Sequence, residues 1–328
     1  MDALPEPRPV ARSRAGGLVR RLWPWLVGLA ILAVVATRIP FDAFVGELGS
    51  GPHLVLAAVD LLVVSCVLVS DSASTWVGLV ALRMRRPLRE VLAVRGATYL
   101  LFLVNYALGQ GGFGYYLHRT GIPALRSAGA TLFLIGTNLA TLLIVTTIAW
   151  WVYGPEADLR TWYTLLAGCA AFAAYLVVIA AAPSVLAQRQ LLAPLFDAGI
   201  RGHALAMVGR LPHVSVMVVG HWAAMRAWGI PVPLGLGVTI MPLVVIASVL
   251  PISPAGLGTT QAALVYFLQD HAAKPVVLAF GVVHFVYGIA ASLLVGLVCA
   301  PFARRVHAAA QPAIALQATP QVTNDRGG

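Results

Sequence analysis

The stretch Ala227–Gln269, AWGIPVPLGLGVTIMPLVVIASVLPISPAGLGTTQAALVYFLQ, contains no Asp, Glu, Lys or Arg. A membrane-spanning helix needs about 20 consecutive apolar residues, so a run this long belongs in lipid. Near its centre, Leu250-Pro251-Ile252-Ser253-Pro254-Ala255-Gly256-Leu257-Gly258-Thr259-Thr260-Gln261 interrupts it with two prolines and two glycines. Hydrocarbon offers no hydrogen-bond partner to an open backbone, so such a break persists only where protein or a water-filled cavity encloses it. In transporters, broken helices of this kind frame the substrate site.

The rest of the chain agrees with a membrane setting. Apolar residues make up 59% of its 328 residues and charged residues only 10%, against about 25% charged in a soluble domain. Mean hydropathy is +0.86. The fold class expected is an all-α polytopic membrane protein. The net charge of +10 does not indicate nucleic acid, because the arginines separate apolar segments instead of interleaving with aromatics. Cytoplasmic loops carry that excess ordinarily. Cys66, Cys169 and Cys299 are isolated in apolar segments, without disulfide or metal spacing, and read as small hydrophobes. The sequence holds no H-E-x-x-H, Walker loop or G-x-S-x-G. No metal or cofactor is expected, and transport is favoured over catalysis.

Charge clusters order the segments. Residues 1–21 form a basic cytoplasmic N-terminus, and Leu22–Thr37 is a first, uncleaved helix, since Thr37-Arg38-Ile39-Pro40 is no small-residue cleavage site. His53–Leu82 is the second span. Asp42 and Glu47 precede it, and Arg83, Arg85, Arg86, Arg89 and Arg95 follow. By the positive-inside rule both chain termini face the cytoplasm, in a plasma (inner) membrane. Gly96–Leu117 carries Asn105, Gln110 and the cluster Gly109-Gln110-Gly111-Gly112-Phe113-Gly114, with basic residues at both ends. It is expected to enter from the cytoplasm, break at the glycines and return. Ser127–Tyr153, Thr161–Gln188, Leu211–Trp228 and Pro275–Pro301 complete the spans. A cytoplasmic stretch with Arg189, Arg201 and Arg210 lies between the second and third of these. The segment 233–269 then enters from outside. The expected count is six full spans plus two broken, re-entrant segments, the pattern of an inverted repeat. If both broken segments cross fully, the count rises to eight or nine. A single domain covers 22–305, and 306–328 is a disordered tail.

Leu250–Gly258 followed by Gln261-Ala262-Ala263-Leu264 resembles the P-x-S-P-x-G-L-G-x-x-(E/Q)-x-x-L signature of the lysylphosphatidylglycerol synthase transmembrane-region family, flippase-like membrane domains also known as UPF0104. Asn105–Gly112 occupies the place of that family's first broken element. The family pattern there often reads N-x-x-x-P-x-x-x-G-E-x-x-R, whereas this chain has Gly109 near the proline position and no acidic residue before Arg119. The likeness covers roughly residues 20 to 305. It implies handling of a membrane lipid, without the soluble aminoacyl-transferase domain of the full-length synthases.

The residues suit that task. Pro251 and Pro254 block helix continuation and leave carbonyls free, while Gly256 and Gly258 admit backbone conformations closed to other residues. A half-helix starting near Leu257 or Thr259 points N–H groups and a positive dipole end into the break, where Ser253, Thr259, Thr260 and Gln261 add polar groups. The Gly109–Gly114 run matches G-x-G-x-x-G formally, but no Asp or Glu appears within about 20 residues after it to hold a ribose, so it is not a dinucleotide site. Asp60 and Asp71 lie eleven residues apart in the second span, within about 20° of one face. Charge in the membrane core is costly and marks function. Arg95, Arg119, Arg226, His221 and His284 are the candidate partners. The expectation is binding and alternating-access translocation of an amphipathic lipid, of anionic, polyprenyl or hopanoid type. Pro251, Ser253, Pro254, Gly256, Gly258, Thr259 and Gln261 line one side, and Asn105, Gln110, Gly111 and Gly112 the other. Asp71, Asp60, Arg119 and His221 are the coupling groups. A membrane-embedded enzyme or an accessory subunit acting on lipid headgroups is the alternative, and a partner synthase or a second copy of the chain is the candidate protein partner.

Overall fold

The computed structural model describes residues 14–104, 106–154, 159–249, 253 and 256–318. Asn105, Pro251 and Pro254 lie outside the described residues, as do Glu156 and Asp158. Among the described residues all regular structure is helical: α1 (Arg14–Ala36), α2 (Phe41–Ser50), α3 (His53–Ala81), α4 (Leu88–Phe102), α5 (Tyr106–Arg119), α6 (Ala124–Tyr153), α7 (Leu159–Ala181), α8 (Ser184–Ala187), α9 (Ala193–Ala227), α10 (Leu234–Val249), α11 (Thr259–Leu268) and α12 (Lys274–Ala318). Pro40, Pro52, Pro87, Pro123 and Pro183 each stand immediately before a helix. There the missing N–H costs nothing and φ is already set near the helical value.

Helices α3, α6, α7, α9 and α12 are long and apolar enough to cross a membrane, and α1 with α2 supplies a sixth apolar unit bent by 106°. Only 11% of the most apolar stretch of α7 is buried inside the molecule. Leu54, Trp151 and Val177 point outward, each more than half exposed. A helical surface this apolar is matched by lipid rather than water. The chain is an integral membrane protein. Helix α12 runs past the expected domain end at 305, as far as Ala318.

Small residues let α3 and α9 pack closely and antiparallel. Gly202 sits against Ala81, Gly209 against Val77 and Gly220 against Val63, the close approach that small residues permit between membrane helices. Ser74 Oγ adds a 2.8 Å hydrogen bond to the Gly209 carbonyl. Helix α9 also absorbs the stretch expected to be a cytoplasmic loop. It is kinked at the non-helical Gly199 (φ 56°), and its longer arm beyond the kink tolerates Pro212 and carries Arg201 and Arg210 within it.

Helices α4 and α5 form an antiparallel hairpin. Phe102 meets Gly109, Thr98 and Leu101 meet Gly112, and Tyr116 Oη donates to Glu90 at 3.0 Å. Its open end is closed by Arg86 Nη2, 3.0 Å from the Thr120 carbonyl. Helix α4 gives way at Leu103-Val104, not at the glycines. Gly109–Gly114 lie inside α5 with ordinary helical φ, which corrects the expected glycine break. Gly109, Gly112 and Gly114 instead give the room in which Phe102, Leu101 and Thr131 pack. The second broken segment is the hairpin α10–α11. Helix α10 starts beside Tyr153 and Trp222, at the bundle end where Trp228 packs on His53. The chain turns before Thr259, and α11 returns along α12, Gln261 bonding to the Gly281 carbonyl at 3.0 Å. The two hairpins therefore enter the bundle from opposite ends.

Candidate functional site: two chambers on one helix face

Asp60 and Asp71 are buried, 1% and 5% exposed, on one face of α3 and about 16 Å apart along its axis at 1.5 Å per residue. Each borders its own cavity.

Asp71 is held by two guanidinium groups. Arg95 of α4 donates from Nε at 2.7 Å and approaches from Nη2 at 2.5 Å, both to Oδ2. Arg210 of α9 donates from Nη1 to Oδ1 at 2.7 Å. His213 Nε2 stands 4.0 Å from the same oxygen. The second arm of Arg95 reaches Gln110 Oε1 at 3.1 Å, and Gln110 Nε2 donates to Tyr106 Oη at 2.9 Å. The Arg95 guanidinium also lies over the rings of Phe102 and Phe113, 5.8 and 5.4 Å from their centroids. Two cations on one carboxylate leave the cluster at least one unit positive. A cavity of about 160 Å³ opens on it. Asn138 lines that cavity, and its buried Oδ1 has no hydrogen-bond partner among the described residues. Gln110 belongs to a second hollow as well, an apolar groove of about 440 Å³ between α5 and α6 lined by Gly111, Gly114, Leu132 and Ile135. Arginine chemistry and apolar groove thus meet at one side chain.

Asp60 pairs with His284 of α12, Oδ1 to Nδ1 at 2.8 Å. The His284 ring stacks on Phe280 and meets the His221 ring edge-on at 5.2 Å. His221 donates from Nδ1 to the Met217 carbonyl at 2.6 Å, as a carbonyl can only accept. These groups border a cavity of about 310 Å³. Leu103 from the tip of the first hairpin lines it, as do Ser248 and Thr260 from either side of the second hairpin's turn. The two hairpins meet at this cavity. Val67, Tyr99, Phe102 and Met217 line both chambers and so form the partition between them.

The described part of the second break is internally bonded. Gly256 and Gly258 take φ of 79° and 80°, the left-handed region open to glycine. Helix α11 starts at Thr259, and Gln261 caps it: its Oε1 accepts from the Gly258 N–H at 2.7 Å while its Nε2 donates to Gly281. Ser253 Oγ lies 3.4 Å from Thr259 Oγ1, which donates to the Gly256 carbonyl at 3.1 Å. Gly28 of α1 packs on Leu257 and Gly258. These groups build the turn, while Ser248 and Thr260 face the cavity beside it. In the first hairpin Gln110 joins the Asp71 cluster, Gly111 lines the groove and Gly112 packs on α4. Arg119 ends α5 and makes none of the contacts to Asp60 or Asp71.

Arg95 was legible as a partner from its place at a segment end, and His221 and His284 from theirs within spans. Arg210, His213 and Asn138 were not. The signal for the first two was a stripe rather than a motif: Arg210, His213, Met217 and His221 recur at spacings of three and four residues, one helix face. Among the described residues no group of three or more His, Cys, Asp or Glu is placed to hold a metal ion. Comparison of the chain with protein-family models and with curated proteins found no match.

Proposed function

We propose that this protein binds an anionic amphipathic lipid and moves it across the membrane, with the headgroup at Arg95 and Arg210 and a tail in the α5–α6 groove. The observation carrying this reading is the second guanidinium on Asp71. One arginine would neutralise the carboxylate, whereas two leave a buried positive charge beside a cavity. An uncompensated charge at membrane depth is expensive, and a bound anion removes the cost. Guanidinium pairs suit phosphate, which they grip bidentately. Gln110 supports an amphipathic ligand, since it touches both the arginine chamber and the apolar groove.

On this reading α4–α5 and α10–α11 are re-entrant hairpins between six spans, related as an inverted repeat. Rocking one half against the other then exposes the chambers alternately. The positive loop residues support cytoplasmic termini. The likeness of Leu250–Leu264 to the lysylphosphatidylglycerol synthase transmembrane region supports a lipid cargo of phospholipid or polyprenyl-phosphate class, with a synthase as candidate partner. The test is native mass spectrometry of the purified protein beside Arg210→Met. The expected result is a co-purifying phosphate-bearing lipid at near-stoichiometric occupancy, reduced at least tenfold in the variant. Equal occupancy in both, or only uncharged lipid, refutes the proposal.

A further inference from the structure

Asp60 and Asp71 share a helix face but not a chemistry. Both oxygens of Asp71 are occupied by permanent cations, and adding a proton there means displacing an arginine. Asp60 has one titratable partner. Its Oδ1 lies 2.8 Å from His284, and its buried Oδ2 has no hydrogen-bond partner among the described residues. A purely structural acid–base pair in a membrane core satisfies its buried oxygens, because each bare one costs its full desolvation. A buried, bare carboxylate oxygen on a residue that lines a 310 Å³ cavity is instead a position where a proton can be added.

The histidines extend this. His221 holds its Nδ1 hydrogen on Met217, which leaves its Nε2 as the ring nitrogen able to take up a proton. Its ring packs against that of His284. We infer that Asp60, His284 and His221 form a proton-exchange site that loads and empties through the chamber lined by residues of both hairpins. The step is one proton transfer, from water in the chamber to Asp60 Oδ2 or a free ring nitrogen, and back. The other titratable group on this chamber is Tyr99 of α4. Beyond the shared partition stand Asp71, Arg95, Arg210 and His213, and one turn along α12 Tyr287 bonds to His53 at 3.0 Å. Helices α10 and α11 contribute Ser248 and Thr260, which do not titrate in the working range. Among the described residues, the groups of this chamber proposed to exchange the proton therefore sit on α3, α9 and α12.

Coupling of this proton to lipid movement rests on the proposed function; the proton site itself does not. Infrared difference spectra between acidic and alkaline pH, on the full-length protein in detergent, read the site directly. The expected result is a carboxylic-acid C=O band that titrates, is absent in Asp60→Asn, and shifts in His284→Gln, with circular dichroism showing both variants folded. The absence of a titrating band, or a band unchanged in Asp60→Asn, overturns the inference. In vesicles carrying fluorescent phosphatidylglycerol, an imposed pH gradient is expected to speed translocation at least threefold in the wild type and not in Asp60→Asn. Gradient acceleration that survives in Asp60→Asn overturns the coupling. A titrating band without any lipid movement upholds the proton site and removes the lipid reading.

Discussion

Replacing Asp71 by Asn tests whether this single carboxylate holds the centre of the bundle together. The side chain lies 7% exposed between Arg95 and Arg210, themselves 5% and 4% exposed, with nitrogens at 2.5–2.7 Å on both oxygens. Asparagine keeps the shape but offers one accepting oxygen, turns an NH2 toward the other guanidinium, and leaves two buried cations unneutralised. Removing one partner of a buried ion pair costs about 3–5 kcal/mol, so a loss of about 4 kcal/mol is expected. That is a change of about a thousandfold in the unfolding equilibrium. The assay is reversible unfolding in mixed micelles by graded addition of SDS, followed by the fluorescence of the eight tryptophans. The double variant Asp71→Asn/Arg210→Met removes the excess cation too, and is expected to recover about 1–3 kcal/mol of the loss through coupling of neighbouring groups. An Asp71→Asn protein within about 1 kcal/mol of wild type, or strictly additive losses in the double variant, refutes the reasoning.

Two further expectations follow from the hairpins. Gly258→Ala places a Cβ against the Gly28 carbonyl at a φ of 80°; strain of about 1–2 kcal/mol plus the clash is expected to loosen α1, read as faster proteolysis ahead of Ala36. With Cys66, Cys169 and Cys299 replaced, single cysteines at Arg85 and His118 are expected to react with an impermeant thiol reagent from one side of the membrane and a cysteine at His271 from the other; labelling of Arg85 and His118 from opposite sides contradicts the α4–α5 hairpin.

The spans were legible because long uncharged runs have few alternatives, and the acidic face of α3 because eleven residues is close to a whole number of turns. The interruptions were less legible. Glycine signals a break in water, but among membrane helices it also serves close packing, and Gly109, Gly112 and Gly114 take that second role. Helix α4 gives way instead at Leu103-Val104, where there is neither glycine nor proline. Arg210 was hidden for a related reason. An arginine between apolar segments reads as a loop residue, and only the continuation of α9 from beyond Gly199 to Ala227 buries it beside Asp71.

Helix α3 is unbroken from His53 to Ala81 and contains no proline. It carries both acids, and on the other elements each acid has its own partners: α4 and α9 for Asp71, and α12 for Asp60, whose His284 in turn meets His221 of α9. A stiff rod fastened at two heights behaves as a lever. If it tilts or slides as one body, strain at one acid is felt at the other within the same motion. No relay of intervening side chains is then required, and the two chambers can be out of phase while the wall between them stays closed.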